Sequence, residues 1–194
     1  MLRIMVFLAT FLVTASSFAQ TALISLSENS ALMRYSLLVG GQSFGRSESS
    51  IGLVYNENGG YLFDAGFQVV DEAGSRLPNL LVGIGGKIYG GTISDDQFSA
   101  IGLGTQLRYS IPGMERLNIG FDGYYAPSVV SWLDATSMWE LAGRLGYEVL
   151  PQAIIYIEYR QFAMTKESVN ANNETVNQSL DIDASGRFGI QVDF

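Results

Sequence analysis

Asp122, Glu140 and Glu158 are the side chains with which this chain could do acid–base chemistry, because two carboxylates held together can act as general acid and general base. Arg144, Arg160 and Arg187 stand in the same runs, and interior ion-pair networks juxtapose carboxylates just as active sites do. Ion pairing is the reading adopted here, so no residue is expected to be catalytic. The sequence contains no histidine and no cysteine. Metal sites built from His or Cys, disulfides and a lipid-modified N-terminal cysteine are thereby excluded, and no metal or cofactor is expected. The stretch "GIGGK", Gly83 to Lys87, invites comparison with a phosphate-binding loop. Its glycine spacing is wrong, and Ile88 follows the lysine where Ser or Thr should stand, so it reads as strand.

These charges sit in runs that alternate apolar and polar residues, the period of a strand with one greasy face. Near the end, Ile182, Ala184, Gly186, Phe188, Ile190, Val192 and Phe194 oppose Asp183, Ser185, Arg187, Gln191 and Asp193. Upstream, Ile155, Ile157 and Tyr159 oppose Tyr156, Glu158 and Arg160, while Trp139, Leu141, Leu145 and Tyr147 oppose Glu140, Arg144 and Glu148. Leu117, Ile119, Phe121 and Tyr125 oppose Arg116, Asn118, Asp122 and Tyr124, and Ile101, Leu103 and Leu107 oppose Gln106 and Arg108. Val82, Ile84 and Ile88 oppose Lys87 and Tyr89, and Tyr61, Phe63, Phe67 and Val69 alternate with Asp64 and Gln68. "SIGLVYN", "LMRYSLLVG" (with Arg34) and "ALISLS" continue the pattern more weakly. About ten strands follow, with eight or twelve as alternatives; an even number returns both ends to one side. The turns on one side would be Gly41 to Ser49, Asp71 to Pro78, Ile111 to Met114 and Leu150-Pro151. Loops on the other would be Asn56 to Gly59, Thr92 to Asp95, Pro127 to Asp134 and the polar stretch Thr165 to Leu180.

The first 19 residues read as a secretory signal, with one cation, Arg3, an apolar stretch and small residues at Ser17 and Ala19. The remainder, residues 20–194, reads as one exported domain. Without Arg3, ten basic residues face 19 acidic ones, a balance that repels nucleic acid. Hydrophobic residues make up 47% of the chain and charged ones 15%, yet beyond the signal no apolar run approaches a membrane-spanning helix. Only helices and closed barrels satisfy their backbone inside a bilayer, so the expected fold is all-β: a transmembrane antiparallel up-and-down barrel, oily outside and polar inside. The competing architecture is a soluble periplasmic, lipocalin-like barrel with the oil pointing inwards.

The charges favour the membrane barrel. On the shared polar face Arg34, Lys87, Arg108, Arg116, Arg144, Arg160 and Arg187 are seven cations, and Asp64, Asp122, Glu140, Glu148, Glu158, Asp183 and Asp193 are seven anions. A narrow lumen would want such pairing, because an isolated charge away from water is costly. Inward glycines such as Gly66, Gly83, Gly85, Gly102, Gly104 and Gly120 would leave a slender cavity. Tyr61, Tyr109, Tyr124, Tyr125, Trp139, Tyr159 and Phe194 are candidates for interfacial aromatic girdles. The sequons at Asn173 and Asn177 read as ordinary polar loop residues. Loop carboxylates at Glu57, Asp95, Asp96, Asp134, Glu167, Glu174 and Asp181 read as a solvated rim rather than a cation bridge to lipopolysaccharide.

The last strand, with Phe188, Ile190, Val192 and the terminal Phe194 at alternate positions, resembles the C-terminal assembly signal of bacterial outer-membrane barrels. "GGKIYGG" (Gly85 to Gly91), "GYYAPSVVS" (Gly123 to Ser131) and "LAGRLGYEVLPQAIIYIEYRQF" (Leu141 to Phe162), together with that strand, resemble the YfaZ family of outer-membrane proteins. The resemblance implies a Gram-negative outer-membrane location, lipid, lipopolysaccharide and the assembly machinery as partners, and no known reaction. Barrel acyltransferases, phospholipases and omptin-like proteases use a histidine, which is missing here. The expectation is therefore a non-enzymatic, structural or narrow-pore barrel. A small-molecule or lipid binder, or a carboxylate enzyme at the extracellular mouth around Asp122, Glu140 and Tyr124, is the alternative.

Overall fold

The computed structural model describes residues 19–41, 45–57, 60–74, 77–94, 96–169 and 175–194. The expected signal segment, apart from Ala19, lies outside them, as do Asp95, Asn173 and Glu174. Among the described residues the strands are β1 (Ala19–Leu26), β2 (Ser30–Gly41), β3 (Gly45–Asn56), β4 (Gly60–Glu72), β5 (Leu80–Ile93) and β6 (Asp96–Ser110). They continue with β7 (Leu117–Ala126), the short β8 (Ser131–Leu133), β9 (Ser137–Leu150), β10 (Ala153–Val169) and β11 (Thr175–Asp193). Each barrel strand pairs antiparallel with its neighbours in sequence, β7 passing to β9, and β1 pairs with β11 to shut the ring at ten strands. β8 is the exception: it pairs with Phe98–Ala100 of β6, filling the wall above the shorter β7.

Closure pairs the two strands that an open sheet would leave as edges, β1 with Phe188–Asp193 of β11. The seam joins Leu26 to Phe188, Ile24 to Ile190 and Ala22 to Val192, so the terminal apolar positions sit opposite apolar partners on β1. Along β10, Ile157 and Tyr159 are 57% and 58% exposed, whereas Glu158 and Arg160 are 5% and 1% exposed. The same inversion holds for Phe63, Phe67, Ile84, Ile88, Leu103 and Phe188, all exposed, against Asp64, Lys87 and Arg187, all buried. An apolar belt around a closed ring with charges inside is the inverse of a soluble protein and suits hydrocarbon. The fold is a transmembrane barrel, and the lipocalin-like alternative, with oil inwards, is not what forms. No helix among the described residues is long and apolar enough to cross a membrane.

Several sequence expectations shift. Glu48 and Ser49 belong to β3 rather than to a turn, because Gly45 to Gly41 already closes that hairpin. Most of the expected loop from Thr165 to Leu180 is strand: Thr165 pairs with Ser179, Glu167 with Asn177 and Val169 with Thr175. Polar residues suit a wall that rises beyond the lipid. Ile182 faces inwards, not outwards, because a bulge opposite Phe162/Ala163 inserts one residue and resets the alternation of β11. Tyr124 is also inside and buried, in step with Asp122, so it is not a girdle residue. Tyr61, Tyr125, Tyr159 and Phe194 are exposed on the outer surface.

Candidate functional site

The lumen is the site, and it is layered. Counting inward positions from the loop end, β2 reads Leu32, Arg34, Ser36; β4 reads Leu62, Asp64, Gly66, Gln68; β10 reads Phe162, Arg160, Glu158. Apolar, charged and then uncharged or mixed polar residues recur at matching heights. The apolar layer holds Leu32, Val54, Leu62, Phe98, Met138, Phe162, Met164 and Ile182; Leu23, Tyr89, Tyr124 and Tyr156 belong to the same buried cluster but stand among the charges and the turn-end cavity. Ala135, from the connection after β8, joins it.

Beneath that layer lies a charge cluster centred on Glu140, which is 1% exposed. Its Oε2 accepts hydrogen bonds from Lys87 Nζ at 3.0 Å and from the Tyr89 hydroxyl at 2.6 Å. Arg160 Nη2 stands 2.8 Å from Oε1, and Arg34 Nη2 stands 3.7 Å from it and 3.6 Å from Asp64. Arg144 grips Glu158 through Nε at 3.0 Å and Nη2 at 2.7 Å, and its guanidinium lies 4.5 Å from the centre of the Tyr156 ring. Arg187 pairs with Asp183 and donates to Ser30 Oγ at 2.7 Å. Three cations, from β2, β5 and β10, thus share the one carboxylate of Glu140 on β9. Pairs made in a dry setting need this density of partners, since each ion gives up several kcal/mol of hydration.

Space for the cluster comes from glycine. A Cβ at Gly52 would overlap the Asp64 carboxylate, and one at Gly102 would come within 2.9 Å of the Tyr89 ring. The slender cavity expected from inward glycines is therefore filled over much of its length: Lys87 and Ser50 occupy the space beside Gly66, Gln68 that beside Gly83, and the Tyr124 ring that beside Gly104.

Not every expected member joins the network. Asp122 is buried on the same face but has no salt bridge among the described residues. Arg116 sits on the exposed turn before β7, and its carbonyl accepts the Glu148 N–H at 2.8 Å, so neither side chain enters the cluster. Asp193 accepts from Thr21 Oγ1 at 2.8 Å at the seam. Arg108 pairs at 2.9 Å with Glu48, a partner that the turn assignment concealed; its inward parity with Ser50 and Val54 was the available signal. Asp122, Glu140 and Tyr124, expected around an extracellular mouth, are all buried inside the lumen. Of the rim carboxylates, Asp96 pairs with Lys166 at 2.5 Å, and Asp134 accepts the Gln97 N–H at 2.8 Å.

Towards the turn end the lumen opens into a cavity of about 40 Å³ walled by Arg34, Ser36, Glu48, Gln68, Lys87 and Arg108, among others. A barrel of this build, with these residues in place, can be set beside known proteins. The family model described as "YfaZ precursor" matches residues 1–188. The chain belongs to the YfaZ family. No curated protein matches it. Among solved structures, this YfaZ barrel is similar to "KdgM porin in complex with disordered oligogalacturonate", at TM-score 0.44 and 12% identity over 91% of this chain and 99% of that one. "KdgM porin" aligns at 0.43 and 13%, over 91% and 99% of the two chains. A mutant porin of Rh. blastica aligns at 0.20 and 9%, over 91% and 98%.

Proposed function

We propose that this YfaZ-family protein is a Gram-negative outer-membrane barrel without enzymatic activity, whose lumen is closed at rest. The observation that carries the reading is the stack of two sealing layers: the apolar side chains Leu32, Val54, Leu62, Phe98, Met138 and Phe162 and, beneath them, Glu140 tied to Lys87, Arg160, Arg34 and Tyr89. An ion crossing the barrel would have to enter a dry layer with no compensating charge, which is costly. The same cluster accounts for the carboxylates without chemistry, since Glu140 is paired with Lys87, Arg160 and Arg34, and Glu158 with Arg144.

A family described as a precursor, an apolar belt and a seam strand with Phe188 and Ile190 exposed support the outer membrane as its place, with lipid and lipopolysaccharide outside and the assembly machinery as a transient partner. Planar-bilayer recording tests the closed lumen: purified wild-type barrel should give no steady conductance. A stable ohmic current from the wild type would overturn the reading. Membrane fractionation combined with heat-modifiable gel migration checks location and barrel together.

A further inference from the structure

The cavity at the turn end is electrically polarised, which the balanced charge of the lumen conceals. Arg34, Lys87, Arg108 and Arg144 reach its wall, and Glu48 is the one carboxylate that does. Glu140 and Glu158, which partner Lys87 and Arg144, do not line it. Four cationic residues and one carboxylate residue thus line the open half of the lumen. Low-dielectric barrel walls focus such a field instead of letting water dissipate it.

Arg34 sharpens the case. Its Nη2 stands 3.6 Å and 3.7 Å from Asp64 and Glu140, and its Nε and Nη2 are buried and make no hydrogen bond among the described residues. Held between these two carboxylates, the Arg34 guanidinium is fixed in place beside the cavity. One water needs about 10–15 Å³ of such space, so a cavity of about 40 Å³ admits roughly three waters or one compact anion of a few heavy atoms.

We propose that this cavity is an oxyanion site, taking one phosphate- or carboxylate-sized group from the turn end. Arg34, Lys87, Arg108 and Arg144, which line it, supply the positive field. The site does not depend on whether the lumen conducts, and so goes beyond the reading above.

The test uses the refolded barrel in a maltoside detergent, titrated separately with inorganic phosphate and with acetate at constant ionic strength. Binding is read by ³¹P line broadening for phosphate and by the heat-unfolding temperature for both. A saturable response to at least one anion is expected, weakened at least about tenfold in Arg34→Gln, which loses a charged donor. Gln106→Glu keeps the acceptor for Gln68 Nε2 but adds a negative charge to the wall, and should weaken binding as well. Arg116→Gln, on the exposed turn, should leave it unchanged. A non-saturable response to both anions, or unchanged binding in both lumen variants, would sink the proposal. If Arg34→Gln does not refold, Gln106→Glu decides. Steady conductance with saturable binding would remove the closed-lumen reading and leave the site standing.

Discussion

Glu140 concentrates the energetics of the lumen in one side chain. Glu140→Gln keeps the shape but leaves Arg160, Lys87 and Arg34 facing a neutral amide in a dry layer. Removing one partner of a buried pair costs about 3–5 kcal/mol, so the variant should unfold at clearly lower temperature or urea concentration than the wild type. Arg144 is 19% exposed at its side chain and borders the cavity, so Arg144→Met should cost less in the same measurement. Gly52→Ala tests the room made for Asp64. The added methyl displaces the carboxylate from Arg34, at a cost of about 1–3 kcal/mol typical of overpacking, and Asp64→Ala in the same chain should return part of it.

Single-residue insertions in a strand matter according to where the alternation is already broken. Ile182 sits in the bulge, with Asp183 paired to Phe162 and Asp181 paired to Ala163. Deleting Ile182 leaves Asp183 inside and Asp181 outside. The variant should assemble, losing only an apolar contact and the hydrogen bond from Asn56 Nδ2 to the Ile182 carbonyl at 3.0 Å. Deleting Ile190 moves every preceding residue of β11 to the wrong face or breaks the seam with β1, since a slip of one inverts a strand. The heat-modifiable gel shift separates the two outcomes: folded migration for the first deletion, and only the unfolded band for the second.

The belt as a whole sets a depth scale. Ile157 is exposed at the middle of the outward apolar run Ile155, Ile157 and Tyr159 on β10, while Leu150 is exposed at the turn end of β9. Ile157→Arg should cost about 2–4 kcal/mol and Leu150→Arg about 0–1 kcal/mol, the gradient that lipid depth imposes. Urea titration in liposomes, followed by Trp132 and Trp139 fluorescence, measures both. Equal costs at the two positions would mean that the belt does not sit in hydrocarbon.

What was legible from the sequence was whatever a period of two records: the closed ring and the faces of the barrel strands from β4 onward, except at the bulge and in β8 and the outer ends of β10 and β11, which read as loop. Two-residue alternation is local, so it survives in one dimension. It failed at Ile182, where the bulge changes parity through pairing with β10, and at Glu48, where a glycine-rich hairpin looked longer than it is. The layering of the lumen was decided only by the tertiary structure. Whether Leu32, Phe98 and Phe162 meet across the barrel depends on register and strand tilt, which bring residues distant in sequence to one height. The same stagger chose Glu140, among seven inward anions suggested by alternation, as the one that three cations share.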